Sequence, residues 1–298
     1  MSSLIEFLIV SNNPQSPYRT DEFELAEGGP LDWMSSLIEF LIVSNNPQSP
    51  YRTDEFELAE GGPALWRRGE RERPTRAEYV RVLSDVLCVN RNLCLCRHFH
   101  ALDMAAVERR SPRLKFIDVW PVGPLHASRE EAFSVRALFA LQLAAVVRSA
   151  RGWQHLRLRV HVPDGPPPGV VESGPDLRSR LEHLLTLLRI DATIHCVTDW
   201  PVLEDASRWD EDSEDSTIYS RVPLSYLQKV NGLMRARCAE GTAVAFVQLP
   251  RPPALPAQPS PADDQPCAHY LKVLDELTKD LCPTILVRGL KSVTSTAL

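Results

Sequence analysis

Residues 224–249 read "LSYLQKVNGLMRARCAEGTAVAFVQL", a helix followed by a buried strand. The stretch 224–238 spaces its apolar side chains at the helical period, and 242–249 is a short apolar run of strand length. The same alternation extends in both directions. Downstream, "AHYLKVLDELTKDL" (268–281) is helical and "TILVRG" starts a strand at 284. Upstream lie the amphipathic helix "DLRSRLEHLLTLLRI" (176–190) and the strand "ATIHCV" (192–197). Before them come "LKFIDVW" (114–120), a strand stopped by Pro121, an apolar helix near 129–148, and "HLRLRVHV" (155–162). The alternation of apolar with Arg and His in that last segment predicts a half-exposed strand.

At the start of the series Thr75 is placed as a helix N-cap, with Glu78 three residues later closing a capping box. Tyr79, Val82, Leu83 and Val86 form one apolar stripe at helical spacing. The strand-like "NLCLC" and a short polar helix near 101–110 follow. Strand and helix alternate almost throughout, which predicts an α/β fold: a mainly parallel sheet with helices on both faces.

The chain has 298 residues and a formal net charge of −6, so it offers no general attraction to nucleic acid or anionic lipid. Arg67, Arg68, Arg71, Arg73 and Arg76 make a local basic run, but Glu70, Glu72 and Glu78 interrupt it, as in a solvated linker. Seven cysteines, an odd number without framework spacing, fit a reducing, cytosolic setting. The segment nearest to a membrane span is 129–150. Its uninterrupted apolar core, 137–147, is about half the ~20 residues a span requires, and Arg136 is costly in lipid. This stretch is expected to be a buried helix.

Residues 1–30 recur letter for letter at 34–63. Structural repeats keep buried positions while their surfaces drift, so identity at every position argues for a recent duplication or a sequence artefact. Each copy supplies one strand, "SLIEFLIV", and a turn-rich "SNNPQSP". At most one copy is expected to enter the fold. The chain therefore divides into the duplicated segment 1–66 and an α/β domain 67–298. An acidic loop (199–220) and a Pro-rich loop (250–266) interrupt the domain. Ser207, Ser213, Ser216 and Thr217 lie among the acids, where phosphorylation and an unmodified acidic loop fit equally well.

"LCLCRHFH" (93–100) is the strongest candidate for metal chemistry, with Cys94, Cys96, His98 and His100 at alternate positions. On a strand these four share one face, but at about 3.3 Å per residue they spread over roughly 20 Å. Zinc ligands must converge to about 2.0–2.3 Å, so at most Cys94 and Cys96 share an ion. The pattern is read as a strand with its exit turn. No GxxxxGK[ST], GxGxxG or GxSxG occurs. No catalytic, cofactor-binding or metal residue is assigned, and the domain is expected not to be an enzyme.

The last third carries a resemblance. A helix "YLQKVNGLMRARC" leads to a strand ending "VQLPRPP", and "YLKVLDELTKDLCPTILVRG" follows a linker. This order resembles the end of the cytosolic C-terminal domain of cation–chloride cotransporters, solute carrier family 12. "EYVRVLSDVLCVNRNLCLCR", "FIDVWP", "LLRIDATI" and a tail "SVTSTAL" without an aromatic ending look most like a divergent branch of that family. The likeness covers about residues 74–298.

It implies a Rossmann-like cytosolic domain used for regulation and dimerisation, without nucleotide chemistry. The implied parent is a membrane protein that moves cations with chloride, or modulates their movement, with this domain on the cytosolic face. Implied partners are a second copy, a related cotransporter, or the parent's membrane domain. No ion-coordinating residue of the family maps onto this stretch. Leu271, Leu274 and Leu277 are candidate partner contacts, although for any one of them core is the simpler reading. Two other readings remain: a stand-alone α/β nucleotide-binding or enzymatic domain, and a metal sensor built on Cys94 and Cys96.

Overall fold

The structure, a computed structural model, describes residues 7–11, 76–88, 92–125, 129–150, 152–164, 177–201, 218–255 and 264–290. The second repeat copy, most of the basic run, Thr75, the four candidate phosphorylation positions and the C-terminal tail lie outside them.

Among the described residues, one seven-stranded sheet organises the fold. Its strands are β1 (Phe7–Ser11), β2 (Asn92–Arg97), β3 (Phe116–Trp120), β4 (Arg157–Pro163), β5 (Ala192–Val197), β6 (Thr242–Gln248) and β7 (Thr284–Arg288). They lie in the order β1-β2-β7-β6-β3-β4-β5. Every pairing is parallel except that of β2 with β7, which is antiparallel with Leu95 opposite Leu286. The fold is α/β, as the alternation predicts. From the first repeat copy, Phe7–Ser11 pairs in parallel with β2 at the sheet edge.

Helices cover both faces. On one face α3 (Val135–Ser149) and α4 (Leu177–Leu187) pack on Cys94, Ile117, Val119, Val160, Phe246 and Ile285. On the other, α1 (Arg76–Cys88), α5 (Leu224–Cys238) and α6 (Asp264–Thr278) pack on Leu93, Leu95, Trp120, Val247 and Leu286. Neighbouring residues of one strand thus enter opposite cores, the alternation that a pleated strand imposes. In α1 the deepest residues are Tyr79, Val80 and Leu83, with Val86 packed only partly. The stripe expected from the sequence is therefore rotated slightly toward Val80.

Local chemistry sets several boundaries. Ser134 Oγ accepts from the Ala137 N–H at 3.1 Å, capping α3 where the preceding 3-10 turn, Arg129–Phe133, ends. The expected helix near 101–110 resolves into a 3-10 turn, Phe99–Ala101, and a short helix, α2 (Met104–Glu108), capped by Asp103. Helix α6 starts at Asp264, inside the segment read as a Pro-rich loop. Pro266 falls in its first turn, where a missing N–H costs nothing. Gly289, just beyond β7, is required by close approach: a Cβ there would lie 2.3 Å from Phe139 Cβ.

The expected half-exposed β4 is a correction. Only Arg157 is exposed; Arg159 is 3% and His161 0% accessible. Their burial creates the polar cluster described next.

Candidate functional site

Asp118 stands in the middle of β3, an ionisable residue inside an otherwise apolar strand. It is 0% accessible, so it requires partners on neighbouring elements. Arg159 of β4 binds it bidentately, Nε to Oδ1 at 2.7 Å and Nη2 to Oδ2 at 2.9 Å. Thr242, the first residue of β6, donates its hydroxyl to Asp118 Oδ2 at 2.6 Å. His161 Nε2 lies 3.2 Å from Asp118 Oδ1. The guanidinium also reaches the Arg237 carbonyl at 3.1 Å and the Glu240 carboxylate, both at the turn that closes α5.

Aromatic groups close the cluster. Trp120 stacks on His161 with ring centroids 4.4 Å apart, and His195 of β5 stands 5.3 Å from His161 on the other side. Arg159 lies over the Phe116 ring at 3.8 Å. Burial alone would raise the Asp118 pKa. The nearby His161 ring and the hydrogen bonds from Arg159 and Thr242 outweigh it and hold the carboxyl below its ordinary value. His195 is also lowered, by burial first and then by its basic neighbours, the guanidinium groups of Arg159 and Arg237 among them.

The cluster joins β3, β4, β6 and the end of α5. Asp118 has both oxygens engaged, and no solvent reaches it. Its geometry is that of a structural ion pair rather than a reacting centre. Beside it, an open groove of about 790 Å³ runs along α5, lined among others by Asp199, Tyr226, Lys229, Leu233 and Arg237. Its walls carry charges of both signs, and among the described residues that line it no glycine-rich turn cradles a phosphate.

The sequence-level candidates fall elsewhere. Cys94 and Cys96 are buried on the α3 side of β2. Burial pushes the Cys94 thiol up to about 12 and raises Cys96 as well, away from the thiolate a metal requires. The strand ends at Arg97, and His98 turns into the left-handed region at φ 60°. There its Nε2–H donates to the Thr278 carbonyl at 2.7 Å, so it leaves the cysteine face. The His100 side chain lies outside the described residues. Among the described residues no three metal-ligating side chains converge.

Leu274 and Leu277 are wholly buried in the core under α6, and Leu271 packs against the same core. Leu274 and Leu277 are thus core residues, and Leu271 is partly buried beside them. The sequence motifs do not single out Asp118, Arg159 or His161. A signal is present, because the ionisable residue inside "FIDVW" and the two inner ones of "RLRVHVP", Arg159 and His161, require partners once the strands are buried.

No protein-family model matches the chain. Among curated proteins it is 32% identical over 232 residues to solute carrier family 12 member 9 of Xenopus laevis. It is also 32% identical over 235 residues to the Danio rerio member 9, and 32% over 248 residues to that of Homo sapiens. Each match takes in 74% of the chain. The chain is related to solute carrier family 12 member 9. It spans about a quarter of the length of these relatives, 24% of the Xenopus protein and 26% of the human one.

Proposed function

We propose that the chain is the cytosolic regulatory and dimerisation domain of a solute carrier family 12 protein. The parent mediates or modulates electroneutral cation–chloride transport. The observation that carries this reading is 32% identity to member 9 over 232 residues that make up 24% of the relative. The rest of such a parent has ample length for a membrane domain. No helix among the described residues is long and apolar enough to cross a membrane. A two-sided α/β sheet whose most prominent polar cluster is sealed supports a scaffold that binds other polypeptide rather than one that turns over a substrate.

Light scattering of the purified 298-residue chain tests the dimerisation part, with an expected mass twice the 33.5 kDa of one copy. Co-expression with full-length member 9 tests the regulatory part, with co-purification and a changed rate of chloride-dependent cation uptake expected. A monomer that leaves uptake untouched would overturn the proposal. A melting temperature that rises with ATP or AMP would favour the nucleotide-binding alternative instead.

A further inference from the structure

Two cysteines that the function does not use meet between elements far apart in the chain. Cys238 is the last residue of α5, and Cys282 lies in the turn between α6 and β7. Their Sγ atoms are 2.7 Å apart, against about 2.05 Å in a disulfide. Both are half-buried, unlike the enclosed Cys94, Cys96 and Cys267.

The elements on either side are clamped in register. Asn231 of α5 donates its side-chain amide to the carbonyls of Leu277 and Lys279, each at 2.9 Å. One turn further along, Arg235 faces Asp280 at 3.9 Å. Thr284 Oγ1 donates to the Cys282 carbonyl at 2.7 Å and fixes the turn from the β7 side. The cysteines therefore meet through a fixed junction of two helices and a strand.

We infer that Cys238 and Cys282 are an oxidative modification site that closes to an intramolecular disulfide when the chain meets a small-molecule disulfide such as oxidised glutathione. The first step is attack by the Cys238 thiolate on one glutathione sulfur. This breaks the glutathione S–S bond, forms a protein–glutathione mixed disulfide and releases one glutathione thiolate. Cys282 then loses its proton and attacks Cys238 Sγ. The protein S–S bond forms, and the second glutathione thiolate leaves. The protein gives up two electrons and two protons, which the two released glutathione molecules carry away.

The thiols are polarised for this order of events. The hydrogen bond from Cys282 is the largest influence on Cys238 and lowers its pKa, with the positive charge of Arg159 adding to it. Cys282, the donor in that pair, is raised and keeps its proton until the second step. The bond would enclose β6 and α6 in one covalent loop, with the two cysteines 44 positions apart.

The test uses the full chain in glutathione buffers of increasing oxidised fraction, followed by acid quenching, alkylation under denaturing conditions and peptide mapping. Of seven cysteines, two are expected to lose their alkylation, and mapping is expected to join Cys238 to Cys282 in the monomeric fraction. Dithiothreitol restores both, and oxidation raises the melting temperature by several degrees relative to the reduced chain. Cys238→Ser and Cys282→Ser each abolish the two-thiol loss, whereas Cys88→Ser, at an exposed thiol, leaves it intact. Mapping of the unsubstituted chain stands even if a variant folds poorly. Alkylation of both Cys238 and Cys282 after full oxidation overturns the inference, as does glutathione adduction that never resolves into the protein disulfide.

Discussion

Asp118 shows how much one residue can require of its surroundings. Replacing it with Ala removes the bidentate partner of the buried Arg159 guanidinium and leaves it the part-exposed Glu240 carboxylate, so a loss of about 2–4 kcal/mol in unfolding free energy, short of the full cost of an unpaired buried charge, is expected from urea titration. A loss below about 1 kcal/mol would mean that water reaches Arg159 and that the pair is not sealed. Acid sensitivity follows from the same site. In the unfolded chain Asp titrates near 3.9, and in the folded chain Asp118 titrates lower. Its contribution is therefore present above about pH 3.9 and lost as pH falls through the folded value. His195, also lowered on folding, acts earlier: the unfolded chain takes up its proton first, near pH 6.5, so stability declines as pH drops from there. Urea midpoints measured across pH are expected to fall in both windows, with His195→Gln flattening only the upper one. None of these roles can be read from one residue alone. Arg159 and His161 look like the solvent side of a half-exposed strand until β3 and β6 are placed beside them.

At the scale of elements, most of the reading from sequence survives because helical and strand periods are local. Residues 224–249 gave one helix and one buried strand, observed as Leu224–Cys238 and Thr242–Gln248. The errors fall where a local signal has two meanings. Proline at 266 reads as loop chemistry but occupies a first helical turn, whereas "LCLCRHFH" is a strand with its exit turn, as its spacing predicts, His98 supplying the turn by going left-handed. The junction of α5 and α6 rests on Asn231, whose amide satisfies two carbonyls at the end of α6. Asn231→Ala removes both bonds, and a loss of about 1–3 kcal/mol is expected in chemical denaturation. Hydrogen exchange at residues 277–284 should rise with it; unchanged exchange there would show that α6 ends independently of α5.

At the scale of the whole molecule, the duplicated segment makes a sharp prediction. The strand Phe7–Ser11 covers the β2 edge, and the same five residues, "FLIVS", stand again at 40–44. Deleting residues 1–33 is therefore expected to leave the melting temperature unchanged, since the remaining copy carries the same strand. Deleting residues 1–63 bares β2 and is expected to cause aggregation in light scattering, because an unpaired strand edge recruits other chains. Equal behaviour of the two deletions would remove β1 from any structural role. The sequence by itself determined the α/β class, the succession of helices and strands, and the kinship to solute carrier family 12. Periodicity and motif order are properties of neighbouring residues, so a linear reading captures them. Only the tertiary structure decided the strand order, the antiparallel pairing of β2 with β7, the burial of Asp118 with Arg159 and His161, and the meeting of Cys238 with Cys282. Each of these joins residues far apart in the chain, and packing of the two cores against one sheet is what brings them together.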